Sequence, residues 1–321
     1  MYKAIQSYLG QDWTDFQRLF ADSLVSGIKL LDKANNFILE HGGKKLRPMF
    51  TLLTAKALRG FCGENVIRCA AASELLHTGT LIHDDVADNS LLRRGVPTAK
   101  ALYPAGTAVL LGDFWLSRAI HLIVDHPDRR VLHAYAKCLG DLAEGEMLQL
   151  EKAGHADSTE EDYRKIIYCK TTSLFEASIL SAAYTQKADD AELASFGKYA
   201  FHVGQSFQMM DDILDYSPDL SSGKPTGQDI MEQKVTLPLL CLFDCAPKSV
   251  VSEIRRRLKK PDEELVFDIF SRVGQYGAMD LAREKLLAET RLAVQALDPV
   301  PDSQAKDYLV KLAESQTFRT A

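Results

Sequence analysis

The stretch "LIHDDVADNSLLRRG", residues 81–95, ends an apolar helical run with three carboxylates and two adjacent arginines. Asp84, Asp85 and Asp88 repel one another unless a cation lies among them. Residues four apart stack on one face of a helix, so Asp84 and Asp88 form a vertical pair, with Asp85 about 100° round the helix. Clustered oxygen ligands of this kind predict a site for a hard divalent cation, Mg²⁺ rather than zinc.

The same pattern returns as "DDILD" at residues 211–215, where Asp211 stacks on Asp215 and Asp212 lies beside them. One such motif alone would indicate a solvated acidic helix end. A second copy, in the apolar context "GQSFQMMDDILDY", favours a pair of cation sites. A di-iron helical bundle is a rival interpretation, but it needs two Glu-x-x-His pairs. Glu74 and His77 supply one such pair, and no second pair lies convincingly on another core helix.

Helical periodicity dominates the chain, with apolar residues at steps of three and four and almost no strand-like alternation. No linker, low-complexity tract or short repeat interrupts it. We therefore predict an all-α fold: a single large helical bundle, with residues 1–321 as one domain and a site between facing helices. Pro238, within "VTLPLLCLF", predicts a helix kink.

Composition bounds the class of protein. Hydrophobic residues make up 46% of the chain and charged residues 26%, which is enough to build a core, and the net charge of −6 argues against a nucleic-acid binder. The six cysteines form no CxxC pair. There is no basic, apolar leader and no apolar run of about 18 residues. These features predict a cytoplasmic protein without an integral membrane segment.

Basic and polar residues occur in clusters that could hold an anion beside the metal. "HGGKKLRPMF", residues 41–50, precedes a helix N-terminus, which favours anions. The other clusters are Arg93 with Arg94, Lys170 with Thr171 in "CKTTSLF", and Lys224 with Lys234 in "GKPTGQDIMEQKVT". Since Mg²⁺ shares protein carboxylates with phosphate oxygens, these clusters predict a phosphate-bearing ligand.

Together, these motifs resemble the trans-prenyl (polyprenyl) diphosphate synthases, from about residue 38 to residue 240. The paired DDxxD motifs, "GGKKLRP", the arginine pair, "KT" and "GKPTGQD" occur in the family's order and spacing. The resemblance implies the isoprenoid synthase type of all-α fold, with a deep central cavity and the acidic motifs facing each other across its mouth. It also implies several Mg²⁺ ions per active site and a homodimer.

The resemblance assigns roles to individual residues. The metal ligands would be Asp84, Asp88, Asp211 and, more distantly, Asp215; Asp85 and Asp212 join the catalytic set. Isopentenyl diphosphate would be bound by Lys44, Arg47, His77 and Arg94. The allylic diphosphate would be bound by Arg93, Lys170, Thr171, Gln208, Lys224 and Lys234. Thr171 and Gln208 would also stabilise the developing carbocation with their oxygen dipoles.

Product length should depend on the helix below Asp84. In the family, a bulky aromatic four or five residues before the motif closes the cavity early, whereas Thr80 and Gly79 are small here. Leu76 is the next obstacle, and Phe175 is a candidate floor. We predict a farnesyl or geranylgeranyl primer and an all-trans product of roughly 30 to 50 carbons, with roughly 20 to 25 as the alternative. Close helix packing is the other explanation of Gly79 and Thr80.

Three rival functions follow from the same motifs. A class I terpene cyclase shares the first motif, but "DDILD" does not match its second metal motif, and "GGKKLRP" would serve no purpose there. A non-catalytic subunit would usually have a degraded motif, whereas both are intact; a catalytic subunit that needs a partner remains open. A purely structural helical protein would leave the coincidence of motifs unexplained.

Overall fold

The computed structural model describes residues 1–93, 95–216, 226–315 and 317, and most of them are helical. Helices α1 to α17 comprise, in order, Tyr2–Leu9, Gln11–Asp22, Lys29–Glu40, Leu46–Arg59, Glu64–Ala87, Ala99–Leu102, Ala105–Ile123, Arg129–Lys152, Glu160–Ile167, Ser173–Thr185, Asp190–Asp215, Gln228–Met231, Leu237–Cys245, Lys248–Arg257, Glu263–Gln275, Ala278–Ala296 and Gln304–Glu314. A π-helical turn, Tyr168–Thr172, lies between α9 and α10, and strands β1 (Leu92–Arg93) and β2 (Val96–Pro97) form a hairpin. The predicted all-α class is confirmed.

The chain divides into two compact units. Unit 1 comprises Met1–Lys137, Leu174–Gly197 and Pro299–Leu309, and unit 2 comprises the described residues of Cys138–Ser173, Lys198–Asp298 and Val310–Ala321. The expectation of one domain stays a prediction. None of the helices in the described part of the chain combines the length and the apolar composition that a membrane-spanning segment needs.

Unit 1 is built around α5, which packs against α2, α4 and α7. This helix has no single apolar face, because its middle, residues 69–76, is buried on every side. The indole of Trp115, on α7, is fully buried and donates from Nε1 to Oδ1 of Asn35 at 2.9 Å. This bond pairs the indole N–H, a polar group that is costly to bury alone.

Unit 2 has a core formed mainly by α11, α13, α15 and α16. Met209, Ile213, Leu239, Ile269 and Leu286 are buried there in one cluster. Helix α9, which also belongs to this unit, begins with a capping box formed by Thr159 and Asp162, and the box satisfies N–H groups of the first turn. That cap fixes where α9 begins, and hence the positions of its inward-facing side chains.

The kink predicted at Pro238 is wrong. Pro238 is the second residue of α13, which begins at Leu237. Proline is favoured in the first turn because its missing N–H would have had no partner in the helix, and its ring meets no preceding turn. The proline therefore starts a helix instead of bending one.

Candidate active site

The first aspartate motif forms the last turn of α5, and Asp88 caps the helix. The chain leaves the helix through Asn89, whose φ of 56° is left-handed. The N–H of Ser90 donates to the Asp85 carbonyl at 2.9 Å, and the N–H of Asn89 donates to the Val86 carbonyl at 3.3 Å. These bonds form a Schellman motif. Carboxylates at a helix C-terminus oppose the helix dipole, so this turn favours a bound cation.

Asp85 is buried and paired with Arg93. The Nε and Nη2 atoms of Arg93 lie 3.0 and 2.9 Å from Oδ1 of Asp85. Burial raises the pKa of Asp85, and the positive charge of Arg93 opposes that rise. The hairpin, in which Arg93 pairs with Val96, returns the guanidinium to the end of α5. The pair therefore holds Arg93 beside the motif, while its binding of a diphosphate stays a prediction.

Beyond its buried middle, α5 has a partly accessible face that leads to the first aspartate motif. The half-buried residues His77, Thr80, Leu81 and Asp84 follow the spacing of one helix face. Leu76, just below them, is fully buried. The predicted isopentenyl ligand His77 and the predicted metal ligand Asp84 thus lie on one surface, which ends at Leu76.

Gly79 lies on a different face of α5, against α7. A Cβ atom added there would lie 3.0 Å from Cδ2 of Leu116 and 3.2 Å from Cβ of Trp115. This close approach favours helix packing as the reason why a small residue occupies position 79. Thr80 is on the accessible face, and its hydroxyl donates to the His77 carbonyl at 2.9 Å. Of the two small residues, Thr80 is the one whose side chain faces the accessible surface.

The predicted isopentenyl-binding residues of "GGKKLRP" flank the start of α4. Lys45 adopts a left-handed φ of 54°, and its Nζ lies 4.8 Å from the ring centre of Phe20. Burial lowers the pKa of Lys45, and Glu74 partly opposes this. This packing of Lys45 fixes the turn between Lys44, whose Nζ lies 5.2 Å from the ring centre of Tyr2, and Arg47.

Arg47 is buried, and its guanidinium lies 4.9 Å from the ring centre of Phe175. Phe175 is fully buried and meets Phe50 edge-on, with ring centres 5.4 Å apart. The structure therefore places Phe175 under Arg47, as a cation–π support. A role for Phe175 as the floor of a product cavity stays a prediction.

The first two aspartates of the second motif repeat the burial pattern of Asp84 and Asp85. Asp211 is half-buried, whereas Asp212 is buried and accepts hydrogen bonds from the Tyr163 hydroxyl at 2.6 Å and from Nε2 of Gln208 at 2.9 Å. Burial raises the pKa of Asp212 to about 6, against the opposing effect of these hydrogen bonds. In both motifs, the second aspartate is thus part of the protein's own hydrogen bonding, and the first is more accessible.

Asp215 caps the short helix α12. Its two carboxylate oxygens accept the N–H groups of Gln228 at 3.2 Å and Asp229 at 3.1 Å. Burial raises the pKa of both Asp215 and Asp229. Lys234 follows α12 and pairs with Glu232. Asp215 therefore ties the segment carrying Lys234 to the second motif, and its role as a metal ligand stays a prediction.

Lys170 and Thr171 lie in the π-helical turn, where the periodicity of residues 160–184 predicts a continuous helix. Two glycines make room for the wide turn. A Cβ atom on Gly145 would lie 2.6 Å from Cβ of Cys169, and one on Gly204 would lie 2.6 Å from Cα of Thr172. Such turns concentrate at functional sites.

The side chains of the π-helical turn have partners in unit 2. Lys170 forms an ion pair with Glu146. The Thr171 hydroxyl donates to Oε1 of Gln208 at 2.6 Å, so the two predicted carbocation-stabilising residues are in contact. The sequence predicts no role at the site for Glu146, Tyr163 or the two glycines, because a single carboxylate, phenol or glycine in a helical segment carries no spacing signal.

Two predicted ligands, Arg94 and Lys224, lie outside the described residues. The first motif belongs to unit 1 and the second to unit 2, and their facing one another stays a prediction. Within the described ranges, no three carboxylate, imidazole or thiolate side chains converge on one metal position. A cation held by fewer protein ligands would complete its shell with water and phosphate oxygens, as Mg²⁺ usually does.

The family model described as Polyprenyl synthetase matches residues 28–271. The chain therefore belongs to the polyprenyl synthetase family, whose members are prenyltransferases. The resemblance inferred from the motifs, and with it the prediction of a prenyl diphosphate synthase, is confirmed.

Full-length relatives support this assignment. The chain is 37% identical to the all-trans-nonaprenyl-diphosphate synthase (geranyl-diphosphate specific) of Rhodobacter capsulatus, over 95% of this chain and 94% of that protein. It is 33% identical to the octaprenyl diphosphate synthase of Escherichia coli, over 96% of each. It is 30% identical to heptaprenyl diphosphate synthase component 2 of Geobacillus stearothermophilus, over 97% of each.

Solved structures share the fold over nearly the whole chain. A decaprenyl diphosphate synthase from Rhodobacter capsulatus superposes with a TM-score of 0.93 at 30% identity, covering 99% of each chain. A Caulobacter crescentus polyprenyl synthase complexed with calcium and isoprenyl diphosphate has a TM-score of 0.92 at 30% identity, covering 100% of this chain and 98% of that one. A geranylgeranyl pyrophosphate synthetase from Pyrococcus horikoshii has a TM-score of 0.89 at 28% identity, covering 99% of each. The predicted isoprenoid synthase type of fold is confirmed.

Proposed function

We propose that this enzyme condenses isopentenyl diphosphate with an allylic diphosphate, farnesyl or geranylgeranyl, in a Mg²⁺-dependent reaction. The product would be an all-trans polyprenyl diphosphate of roughly 30 to 50 carbons, grown in an apolar cavity. The observation that carries the proposal is the shared design of the two motifs. In each, the second aspartate is buried and bonded within the protein, and the first is more accessible to an external cation.

The donor set fits Mg²⁺. Asp84 and Asp88 offer oxygen ligands at a helix end whose dipole opposes negative charge, and Asp211 repeats the arrangement. The structure of the Caulobacter protein contains calcium and isoprenyl diphosphate, and this supports a divalent cation in the proposed site of the present enzyme. We assign Asp84, Asp88 and Asp211 as metal ligands, with Asp215 as a more distant ligand that acts through water.

The reaction breaks the allylic C–O bond, and the double bond of isopentenyl diphosphate then attacks the cation. Bound Mg²⁺ would neutralise charge on the departing diphosphate. Arg93, Lys170 and Lys234, with Lys224, would bind that diphosphate, and Lys44, Arg47 and His77, with Arg94, would position isopentenyl diphosphate for attack. Oxygen dipoles of Thr171 and Gln208 would face the carbocation. The proton lost from the new chain would pass to the released diphosphate.

Two observations bear on product length. Thr80 is small and lies on the accessible face of α5, so that face is open for one turn below Asp84. The first relatives are named as nonaprenyl and octaprenyl diphosphate synthases, which favours a long product. The geranylgeranyl synthetase of Pyrococcus horikoshii has the same fold, so the alternative of roughly 20 to 25 carbons, with Leu76 as the obstacle, is kept.

The chain is proposed to act as a homodimer in the cytoplasm. A second possibility is a catalytic subunit that needs a partner, and the Geobacillus relative, named as component 2 of a synthase, favours keeping it. Both aspartate motifs are complete here, which supports the chain itself as the catalytic one.

Purified protein with Mg²⁺, labelled isopentenyl diphosphate and each allylic primer in turn tests the proposal, with products dephosphorylated and sized by chromatography. We expect a ladder that ends at thirty carbons or more. Asp84→Asn and Asp211→Asn should lower kcat by about 10²- to 10³-fold, because each removes a group that holds the charge-neutralising cation.

Asp125→Asn, at an exposed position outside both motifs, is the matched control and should keep wild-type activity. A ladder that ends at fifteen carbons would overturn the predicted length and keep the enzyme class. Absence of extension with every primer would overturn the proposal for the isolated chain. Full activity of Asp84→Asn would overturn the assignment of the metal ligands.

A further inference from the structure

We propose that Tyr163 is a positioning residue, which acts through Asp212 to fix the orientation of the Gln208 amide and hence of the Thr171 hydroxyl. The inference rests on the proposed function, since it concerns the two residues assigned to the carbocation. Tyr163 lies in α9, seven residues before Lys170, and none of the motifs includes it.

The four side chains form a continuous chain of hydrogen bonds within unit 2. The Tyr163 hydroxyl donates to Oδ2 of Asp212 at 2.6 Å. Oδ1 of the same carboxylate accepts from Nε2 of Gln208 at 2.9 Å. Oε1 of Gln208 then accepts from the Thr171 hydroxyl at 2.6 Å. Tyr163 and Asp212 are both buried, at 3% exposed, so solvent does not compete for these bonds.

With Asp212 ionised, the donors and acceptors along this chain allow only one arrangement. A carboxylate accepts hydrogen bonds, so the amide of Gln208 must turn its Nε2 towards Asp212. Its carbonyl oxygen then faces Thr171, whose single hydroxyl hydrogen is used on that oxygen. The lone pairs of Thr171 are consequently left for the site.

Tyr163 is needed to orient Gln208, because both residues donate hydrogen bonds to the same carboxylate, that of Asp212. Without the phenol, Oδ2 loses its hydroxyl donor inside a buried environment, and the backbone N–H of Leu237, which also bonds to the carboxylate, competes with Gln208 for it. The carboxylate would then reorient towards other N–H groups, and Gln208 would lose the acceptor that fixes its amide. The effect on Thr171 is therefore indirect, which makes Tyr163 a positioning residue and not a catalytic one.

The surrounding structure holds Tyr163 rigidly. The capping box of Thr159 and Asp162 fixes the start of α9. The next residue, Arg164, donates to Oε1 of Glu289 at 2.5 Å, which ties α9 to α16. Because α9 is anchored at both points and Tyr163 is buried, the phenol can orient the Asp212 carboxylate.

The test compares Tyr163→Phe with Tyr135→Phe. Tyr135 is also fully buried, and its hydroxyl donates to the Cys69 carbonyl at 2.9 Å, in unit 1 and apart from this chain of hydrogen bonds. Both variants lose one buried hydroxyl, so we expect similar falls in Tm. Only Tyr163→Phe should lower kcat, by about tenfold, with both KM values within about twofold of wild type, because substrate anchoring is untouched.

A double-mutant cycle tells an indirect role from a structural one. In a Gln208→Ala background, which is itself expected to be slow, Tyr163→Phe should change kcat by less than about twofold, since its effect passes through Gln208. The same loss in both backgrounds, or wild-type kcat for Tyr163→Phe, would overturn the inference alone. Wild-type kcat for Gln208→Ala would instead overturn the assignment of Gln208, and with it the proposed site.

Discussion

Glu289, in α16, is a buried carboxylate whose hydrogen bonds outweigh the effect of burial on its pKa. It accepts from Nδ1 of His202 at 2.7 Å and from Nη1 of Arg164 at 2.5 Å. Burial acts to raise its pKa, but the bonds from His202 and Arg164 outweigh burial, and the pKa is lowered below its ordinary 4.5. The stabilisation is therefore present above pH 4.5 and is lost as the pH falls through the lowered pKa.

Glu289→Gln should lower the free energy of unfolding by about 1 to 3 kcal/mol at pH 7, because it leaves the half-buried donors Arg164 and His202 without their charged acceptor. The difference from wild type should shrink below pH 4.5. Urea denaturation at pH 7 and pH 4 measures both values. Glu284→Gln, exposed on the same helix, is the control and should have little effect at either pH. An equal loss at both pH values would refute the linkage.

The sequence predicts a site role for single residues where a motif occurs twice. Asp84 and Asp211 stand in two matching motifs, and an acidic pair in an apolar helix has few structural explanations. The bond between Arg93 and Asp85 was not predictable, because it depends on a hairpin of two residues per strand. Tyr163 looked like an ordinary core residue, since its position fits the apolar face of α9.

At the scale of elements, the π-helical turn Tyr168–Thr172 distinguishes this structure from a plain bundle. The periodicity of residues 160–184 continues across the turn, so the sequence predicts one helix where the structure has α9, the turn and α10. The signal lay elsewhere in the chain, in the glycines at 145 and 204 that face the turn. Periodicity is a property of one helical segment, so it cannot reveal contacts between a turn and glycines in other helices.

Gly145→Ala should destabilise the protein by about 1 to 3 kcal/mol, because the added Cβ overlaps Cys169 and Lys170. Activity should fall more than stability alone explains, since Lys170 would move. Gly140→Ala on the same helix adds a Cβ into open space and should be neutral or stabilising by up to about 1 kcal/mol. Thermal unfolding and isopentenyl incorporation compare the two. Equal behaviour of the two variants would refute the role of Gly145.

At the scale of the whole molecule, the prediction of helices throughout was reliable, because the apolar period of 3.6 residues persists along the chain. The partition into two units was not predicted, since no composition change marks where one begins. Helix α7 in unit 1 leaves Val109 and Leu110 exposed, at 40% and 69%, and Val124 just beyond its end is 48% exposed. Exposed apolar side chains of this kind favour a protein partner, in keeping with the proposed homodimer.

Leu110→Glu should therefore shift the protein from twice the mass of one chain towards the monomer, as measured by sedimentation equilibrium, because it buries a charge in the proposed interface. Phe267→Glu is the matched control and should leave the mass unchanged, because Phe267, 71% exposed, is the one large apolar side chain that α15 of unit 2 leaves exposed, and a single such residue does not indicate an interface. A wild-type protein that sediments as a monomer would argue against the homodimer, and a dimeric Leu110→Glu would remove α7 from the interface.

The buried middle of α5 limits how this enzyme can be altered by directed evolution. Residues 69–76 are enclosed on every side, so nearly every substitution there should lower the stability of the fold. The positions of this helix that are open to change lie on its accessible face, chiefly Thr80 and Leu81, between His77 and Asp84. Below Thr80, the next residue proposed to limit product length, Leu76, belongs to the buried middle, so variants with new products should accumulate at few sites.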